Sequence, residues 1–214
     1  MSQRGVTVNS LNEQQIETLL DEIDNGKRSV IFNKVSKTEF NHFIDLVYDS
    51  PDLFWVDMKY HALSIGDLSV FVISEKYDEI ETKKKDIEQR VTSIVDGLKL
   101  DNLSEYDKVY RIHNWICDNI KYDALKNDGD QDIYGALFYN TARCAGYAEL
   151  FTVLLEEAGI ESEVISGNAM DLTGETIPHA WNVVYIDGEP YYFDVTWDDN
   201  DNGTISYNWF GVTK

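Results

Sequence analysis

The chain predicts an α+β fold, in which a helix beginning at Cys144 packs on an antiparallel sheet and an α/β extension precedes this core. Three observations carry the prediction. Tyr147, Phe151, Leu154, Leu155 and Ala158 recur at helical spacing directly after Cys144. Asp187-Gly188, a strong two-residue turn signal, separates residues 179–186 from 191–197, two runs rich in β-branched and aromatic side chains. Helical and β-like runs alternate through the first hundred residues with no low-complexity linker, so that segment reads as an extension packed on the core rather than a detached module.

Taken in order, residues 11–23 have helical spacing, with Asn25-Gly26 as the stop. Residues 28–35 are β-like, and Ser36-Lys37-Thr38-Glu39 fits a capping box opening a second helix that runs to about Tyr48, where Ser50-Pro51 ends it. Two β-like runs, 54–63 and 68–74, flank Gly66-Asp67 as a hairpin. A charged helix follows over about 80–98. Ser104 begins the next one, with Tyr106, Val109, Tyr110, His113, Ile116, Cys117 and Ile120 along one face. The predicted division is an extension over 1–100 and a core over 101–214.

With 214 residues the chain is long enough to bury a good core. A net charge of −21 argues against nucleic acid or an anionic membrane as partner, since both need basic surface. No apolar stretch is long enough to insert in a membrane. Met1 to Val6 lack the apolar core of a signal peptide, so the expectation is a cytoplasmic chain, or an exported one whose leader has been removed.

Chemistry concentrates on three residues. A thiol at a helix start is favoured as thiolate by unpaired backbone N–H groups and the helix dipole, and Arg143 adds a cationic neighbour to Cys144. With Asp187 and Gly188 as the turn, His179 opposes Thr196, and Asp194 lies two residues along on the same face, a diagonal that longer side chains span. The hairpin thus offers an imidazole with a carboxylate beside it, which fixes the tautomer and leaves the other ring nitrogen for the thiol proton. The second of the two cysteines, Cys117, reads as buried packing within its helix.

Three acidic or metal-like patterns weigh less. His113 and Cys117 are four apart, a spacing for two metal ligands, but His42 and His61 offer no matching pair. Asp198 to Gly203 follows the first half of a calcium loop and then places Trp209 where the bidentate Glu belongs. Residues 128–132 are equally incomplete. Both read as solvated turns, and no metal or cofactor is expected.

The segments Cys144-Ala145-Gly146-Tyr147-Ala148, Pro178-His179-Ala180-Trp181-Asn182, Phe193-Asp194-Val195-Thr196-Trp197-Asp198-Asp199 and Ile120-Lys121-Tyr122-Asp123 resemble those of the bacterial transglutaminase-like superfamily. That resemblance, from about residue 104 onward, implies a papain-like core with a Cys-His-Asp triad and activity as a transglutaminase, peptidase or amidase. It makes Cys144 the nucleophile, His179 the base and Asp194 the orienting acid. Arg143 departs from the pattern, which more usually has a small or apolar residue there. The expected substrate is a protein or peptide, acylating the thiol before water or an amine releases it, with a slight preference for water because it needs no binding site. The Cys144 N–H is one oxyanion donor by position, and Tyr139, Asn140 and Trp181 are candidates for the second; Trp181 either walls the cleft or packs beneath it. The alternative from another class is a non-catalytic interaction module that keeps the fold as scaffold.

Overall fold

The computed structural model describes residues 6–9, 11–57, 61–123, 132–171, 173–200 and 203–213. They form two compact units, Met1–Ile80 and Glu81–Lys214. No described helix is long and apolar enough to cross a membrane.

In the first unit, β1 (Val6–Val8) runs parallel to β2 (Ser29–Asn33), which pairs antiparallel with β4 (Leu68–Val72), itself paired with β3 (His61–Ile65). Helices α1 (Glu13–Asp24) and α2 (Lys37–Asp49) both start in capping boxes, Asn12 with Gln15 and Ser36 with Glu39, each satisfying N–H groups that a helix start leaves open. Alternation along β2 buries Val30 and Phe32, and Phe43 of α2 meets Phe32 and Phe71 edge-on at 5.3 and 5.9 Å. The β-like run expected from Phe54 begins later. Pro51 starts a 3-10 turn over Pro51–Leu53, Phe54 continues in the helical region, and Trp55 is fully buried there.

The second unit is built around α6 (Cys144–Glu157), in which Tyr147, Leu150, Phe151, Leu154 and Leu155 have no exposed surface. Burial of each contributes about 1.5–3 kcal/mol. Helix α6 is covered by α4 (Glu105–Asn119), by the short α5 (Ile133–Tyr139) and by an antiparallel sheet of order β7-β8-β9, formed by Ser162–Met170, Thr176–Ile186 and Glu189–Phe193. Helix α3 (Ile80–Leu98) lies in this unit apart from its first residue. Ser104 caps α4 by accepting the Asp107 N–H at 3.1 Å, as its sequence implies.

Two features hold the start of α6. Two-residue strands β5 (Lys121–Tyr122) and β6 (Thr141–Ala142) pair in parallel just before it. At Gly146 the backbone of the Asp132 loop comes so close that an added Cβ would sit 2.9 Å from the Asp132 carbonyl oxygen and 3.0 Å from Ala142 Cβ. Neither neighbour is a flexible side-chain end, so Gly146→Ala is expected to destabilise by about 1–3 kcal/mol in urea unfolding. An unchanged midpoint would show that the loop yields.

The sheet corrects the expected hairpin in two ways. It has a third strand, β7, so the ribbon is not two-stranded. And β9 stops at Phe193 instead of running to Trp197, so His179 has no strand partner at Thr196. The turn is as read: Asp187 and Gly188 both have positive φ, 53° and 81°, and pair Ile186 with Glu189. Past Phe193 the ladder is diverted because the Asp194 N–H donates to the Trp209 carbonyl at 3.2 Å, and α7 (Val195–Asp198) opens with Asp194 as its N-cap.

Candidate active site

Cys144 is the first residue of α6, preceded by Arg143 in extended conformation with no side-chain cap on the helix. The helix start therefore keeps N–H groups aimed outward, where they favour an anion. His179 lies on β8 and is buried. Its Nε2 is 2.6 Å from Asp194 Oδ2, while Asp194 Oδ1 accepts the Trp197 N–H at 3.1 Å. One carboxylate thus caps a helix and holds an imidazole at once. The meeting that the expected diagonal would have made across a strand pair is made from the cap of α7. With Nε2 taken, Nδ1 is the ring nitrogen left for the thiol.

Strand β8 and helix α6 are tied directly. Asn182, three residues after His179, is buried and donates through Nδ2 to the Ala148 carbonyl and to Thr152 Oγ1, both at 2.9 Å. Ala148 stands one turn after Cys144. This clamp fixes how far the strand carrying the imidazole lies from the helix carrying the sulfur.

The electrostatics follow. Burial pushes the Cys144 thiol up, but the His179 hydrogen bond and charge, with N–H groups of Ala180 and Ala145, outweigh it and hold the thiol below its ordinary value. Burial likewise pulls His179 down, yet hydrogen bonds to Asp194 and Cys144 and their charges lift it to about 9. Both directions favour thiolate beside imidazolium. Cys117 is the opposite case: burial, then the charges of Asp199 and Asp198, push its thiol well above the ordinary range.

These directions predict a pH profile. Acyl transfer through the pair needs both the thiolate and the imidazolium proton, so kcat/KM should rise on the acid side below an ordinary thiol's pKa and fall as pH passes about 9. A rise through the ordinary thiol range with no alkaline fall would contradict the pairing.

Other predicted residues are placed as follows. Trp181 shares the outer sheet face with His179, ring centroids 6.2 Å apart and nearly parallel. Its indole lies over Gly167 on β7, where a Cβ would come within 2.7 Å of the ring. Tyr139 is 55% exposed, its ring edge-on to Tyr134, and Asn140 ends α5 in the left-handed region while its carbonyl accepts the Lys121 N–H at 3.0 Å. Both ring nitrogens of His113 have partners: its Nε2 is 3.2 Å from Asp198 Oδ2 and its Nδ1 3.2 Å from Asn114 Oδ1. Asp198 is thereby committed, and Asp132 caps α5 by accepting the Gly135 N–H at 3.1 Å. Residues 128–131, 201 and 202 of the two acidic segments lie outside the described residues.

Sequence reasoning missed an aromatic wall. Trp197 stacks on the His179 ring at 4.5 Å and 17°, and Trp209 meets Trp197 edge-on at 5.1 Å. Together with Trp181 they border a cavity of about 500 Å³ that reaches His179 and Asp194. The signal for Trp197 was its position three residues after Asp194, inside a capped turn; Trp209 had none.

Residues 92–196 match the family model of the transglutaminase-like superfamily. Kyphoscoliosis peptidase of Homo sapiens is 28% identical over 151 residues, covering 65% of this chain and 22% of that protein. The same peptidase of Mus musculus is 28% identical over 142 residues, covering 61% and 21%. The chain thus spans little more than a fifth of the length of these curated relatives. A crystal structure of a TGase is similar with a TM-score of 0.46 at 15% identity, covering 91% of this chain and 60% of that one.

Proposed function

Taking as premise that the chain carries a transglutaminase-like core over residues 92–196, we propose that it is a thiol-dependent acyltransferase acting on peptide or carboxamide bonds, with hydrolysis as its main outcome. The observation that carries this reading is His179 held at 2.6 Å by Asp194, in a unit where the imidazole draws the thiol at the start of α6 below its ordinary pKa. In this reading Cys144 is the nucleophile, His179 the acid and base, and Asp194 the group that keeps the imidazole oriented.

The Cys144 sulfur attacks the carbonyl carbon, an S–C bond forms and the C=O electron pair moves to oxygen, beside N–H groups of the helix start. As the pair returns, the C–N bond breaks and His179 gives its proton to the leaving amine. Water then loses a proton to His179 and adds to the thioester, and the C–S bond breaks to return the thiolate. An amine in place of water gives transfer. The peptidase name of the curated relatives, together with the absence of any need for a second substrate site, supports water as acceptor.

Iodoacetamide at mildly acidic pH should label Cys144 on the order of a hundredfold faster than Cys117, because only one thiol is held as thiolate. Incubation of a glutamine-bearing peptide with a fluorescent amine should yield mostly hydrolysed product, and Cys144→Ala should abolish it. Equal, slow labelling of both thiols, or activity surviving Cys144→Ala, would favour the scaffold alternative.

A further inference from the structure

The cavity beside the His179–Asp194 pair is not needed for the bond-making steps, yet it is the feature that a small chain would not build for packing alone. It holds about 500 Å³, within the usual size of a ligand site, and its lining is overwhelmingly apolar. Trp181, Trp197 and Trp209 border it with their rings, and Met170 from the end of β7 stands at its edge. Met170 is 69% exposed and Trp209 43% exposed, so large apolar surface is left to water where two of the three reacting groups meet. Its two charged groups, His179 and Asp194, are already bonded to each other, and Asn168, Tyr192 and Thr213 are the other polar residues that line it.

Its shape is set by backbone features rather than by chance collapse. Gly167 has no side chain where the Trp181 indole lies across β7 and β8, which lays that ring flat along the sheet. Trp197 is held at the first turn of α7 by the Asp194 cap, and the Asp194 N–H is in turn bonded to the Trp209 carbonyl. Two of the three indole residues, Trp197 and Trp209, are therefore tied to the same residue that orients the imidazole.

We propose that this cavity is the site for an aromatic side chain of the acyl-donor peptide, close to the carboxamide that Cys144 attacks. The proposal rests on the acyl-transfer reading for its placement along the reaction. Flat indole faces and a thioether favour a ring by offset or edge contacts and by sulfur–aromatic contact, beyond the area removed from water. The one cation among the lining residues, the His179 imidazolium, is already paired with Asp194, so a carboxylate gains little there, and a lysine ammonium would leave its hydration for a lining whose one acid is already occupied.

The chain has three methionines, Met1, Met58 and Met170, so methyl-labelled methionine gives a simple spectrum with a reporter at the cavity edge. N-acetyl-phenylalanine amide should shift the Met170 methyl resonance saturably, in the unaltered protein and equally in Cys144→Ser, while N-acetyl-lysine amide and N-acetyl-glutamine amide should not. In turnover, a glutamine peptide carrying a neighbouring Phe should exceed its Gly counterpart in kcat/KM by about tenfold or more, and Met170→Ala should narrow that ratio. An unmoved Met170 methyl, or equal shifts with the lysine amide, overturns the aromatic assignment. A shift in both forms with no turnover of any peptide supports the cavity and overturns only the acyl-transfer reading.

Discussion

Asp194→Asn should lower kcat/KM by about 10⁴-fold while leaving the fold in place. The reason lies in the double duty of this side chain. Oδ1 accepts the Trp197 N–H and so caps α7; Oδ2 accepts from His179 Nε2. An asparagine satisfies the cap with its single oxygen, which turns its NH₂ toward His179. That group donates to Nε2, and the imidazole proton must then sit on Nδ1, the nitrogen facing the sulfur. The ring can no longer accept the thiol proton, and the thiolate loses the imidazolium that holds it. Asparagine caps helices as well as aspartate does, so the unfolding midpoint should move by less than about 1 kcal/mol. Alkylation of Cys144 at mildly acidic pH should slow in parallel with turnover. Full activity with unchanged alkylation would remove Asp194 from the proposed mechanism.

Asp198→Ala should have the largest effect on stability, a loss of about 3–5 kcal/mol. His113 and Asp198 have no exposed side-chain surface and meet at 3.2 Å. The second carboxylate oxygen accepts the Trp209 N–H at 3.1 Å, and the Asp198 carbonyl accepts the Ser206 N–H at 2.7 Å. Deleting the side chain leaves a buried imidazole nitrogen and a backbone N–H without their partner, and such orphaned groups carry the full desolvation cost. His113 is also enclosed by Phe210, edge-on at 5.0 Å, and by Tyr207 at 5.7 Å, so it has little room to turn elsewhere. Because Trp209 braces Trp197 and Trp197 stacks on His179, turnover should fall as well. Urea unfolding of Asp198→Ala, His113→Leu and the double variant gives the pairwise coupling. A loss under about 1 kcal/mol would mean that water replaces the carboxylate there.

Much of this was legible in the chain because its signals are local. The capping box at Ser36, the Ser104 cap of α4, the apolar period after Cys144 and the Asp187-Gly188 turn each depend on residues within a few positions of one another. What escaped depends on distant ones. Strand β7 reads Ser-Glu-Val-Ile-Ser-Gly-Asn-Ala-Met, a run with polar residues and a glycine, and it is a strand because β8 supplies the ladder and Trp181 covers Gly167. Strand β9 looked longer because Val195, Thr196 and Trp197 all favour strands. The carbonyl of Trp209, fifteen residues on from Asp194, captures the backbone and turns those residues into a helix. The partner of His113 is 85 residues away, which no spacing along α4 reveals.

The imidazole and its carboxylate come from one hairpin and the turn that leaves it, fifteen positions apart, whereas the sulfur is brought in by a helix 35 residues earlier than the imidazole. Short-range closures form sooner than long-range ones. The imidazole and its carboxylate therefore close over a shorter stretch of chain than the sulfur does, and the thiol is drawn below its ordinary pKa only where that hairpin meets the start of α6.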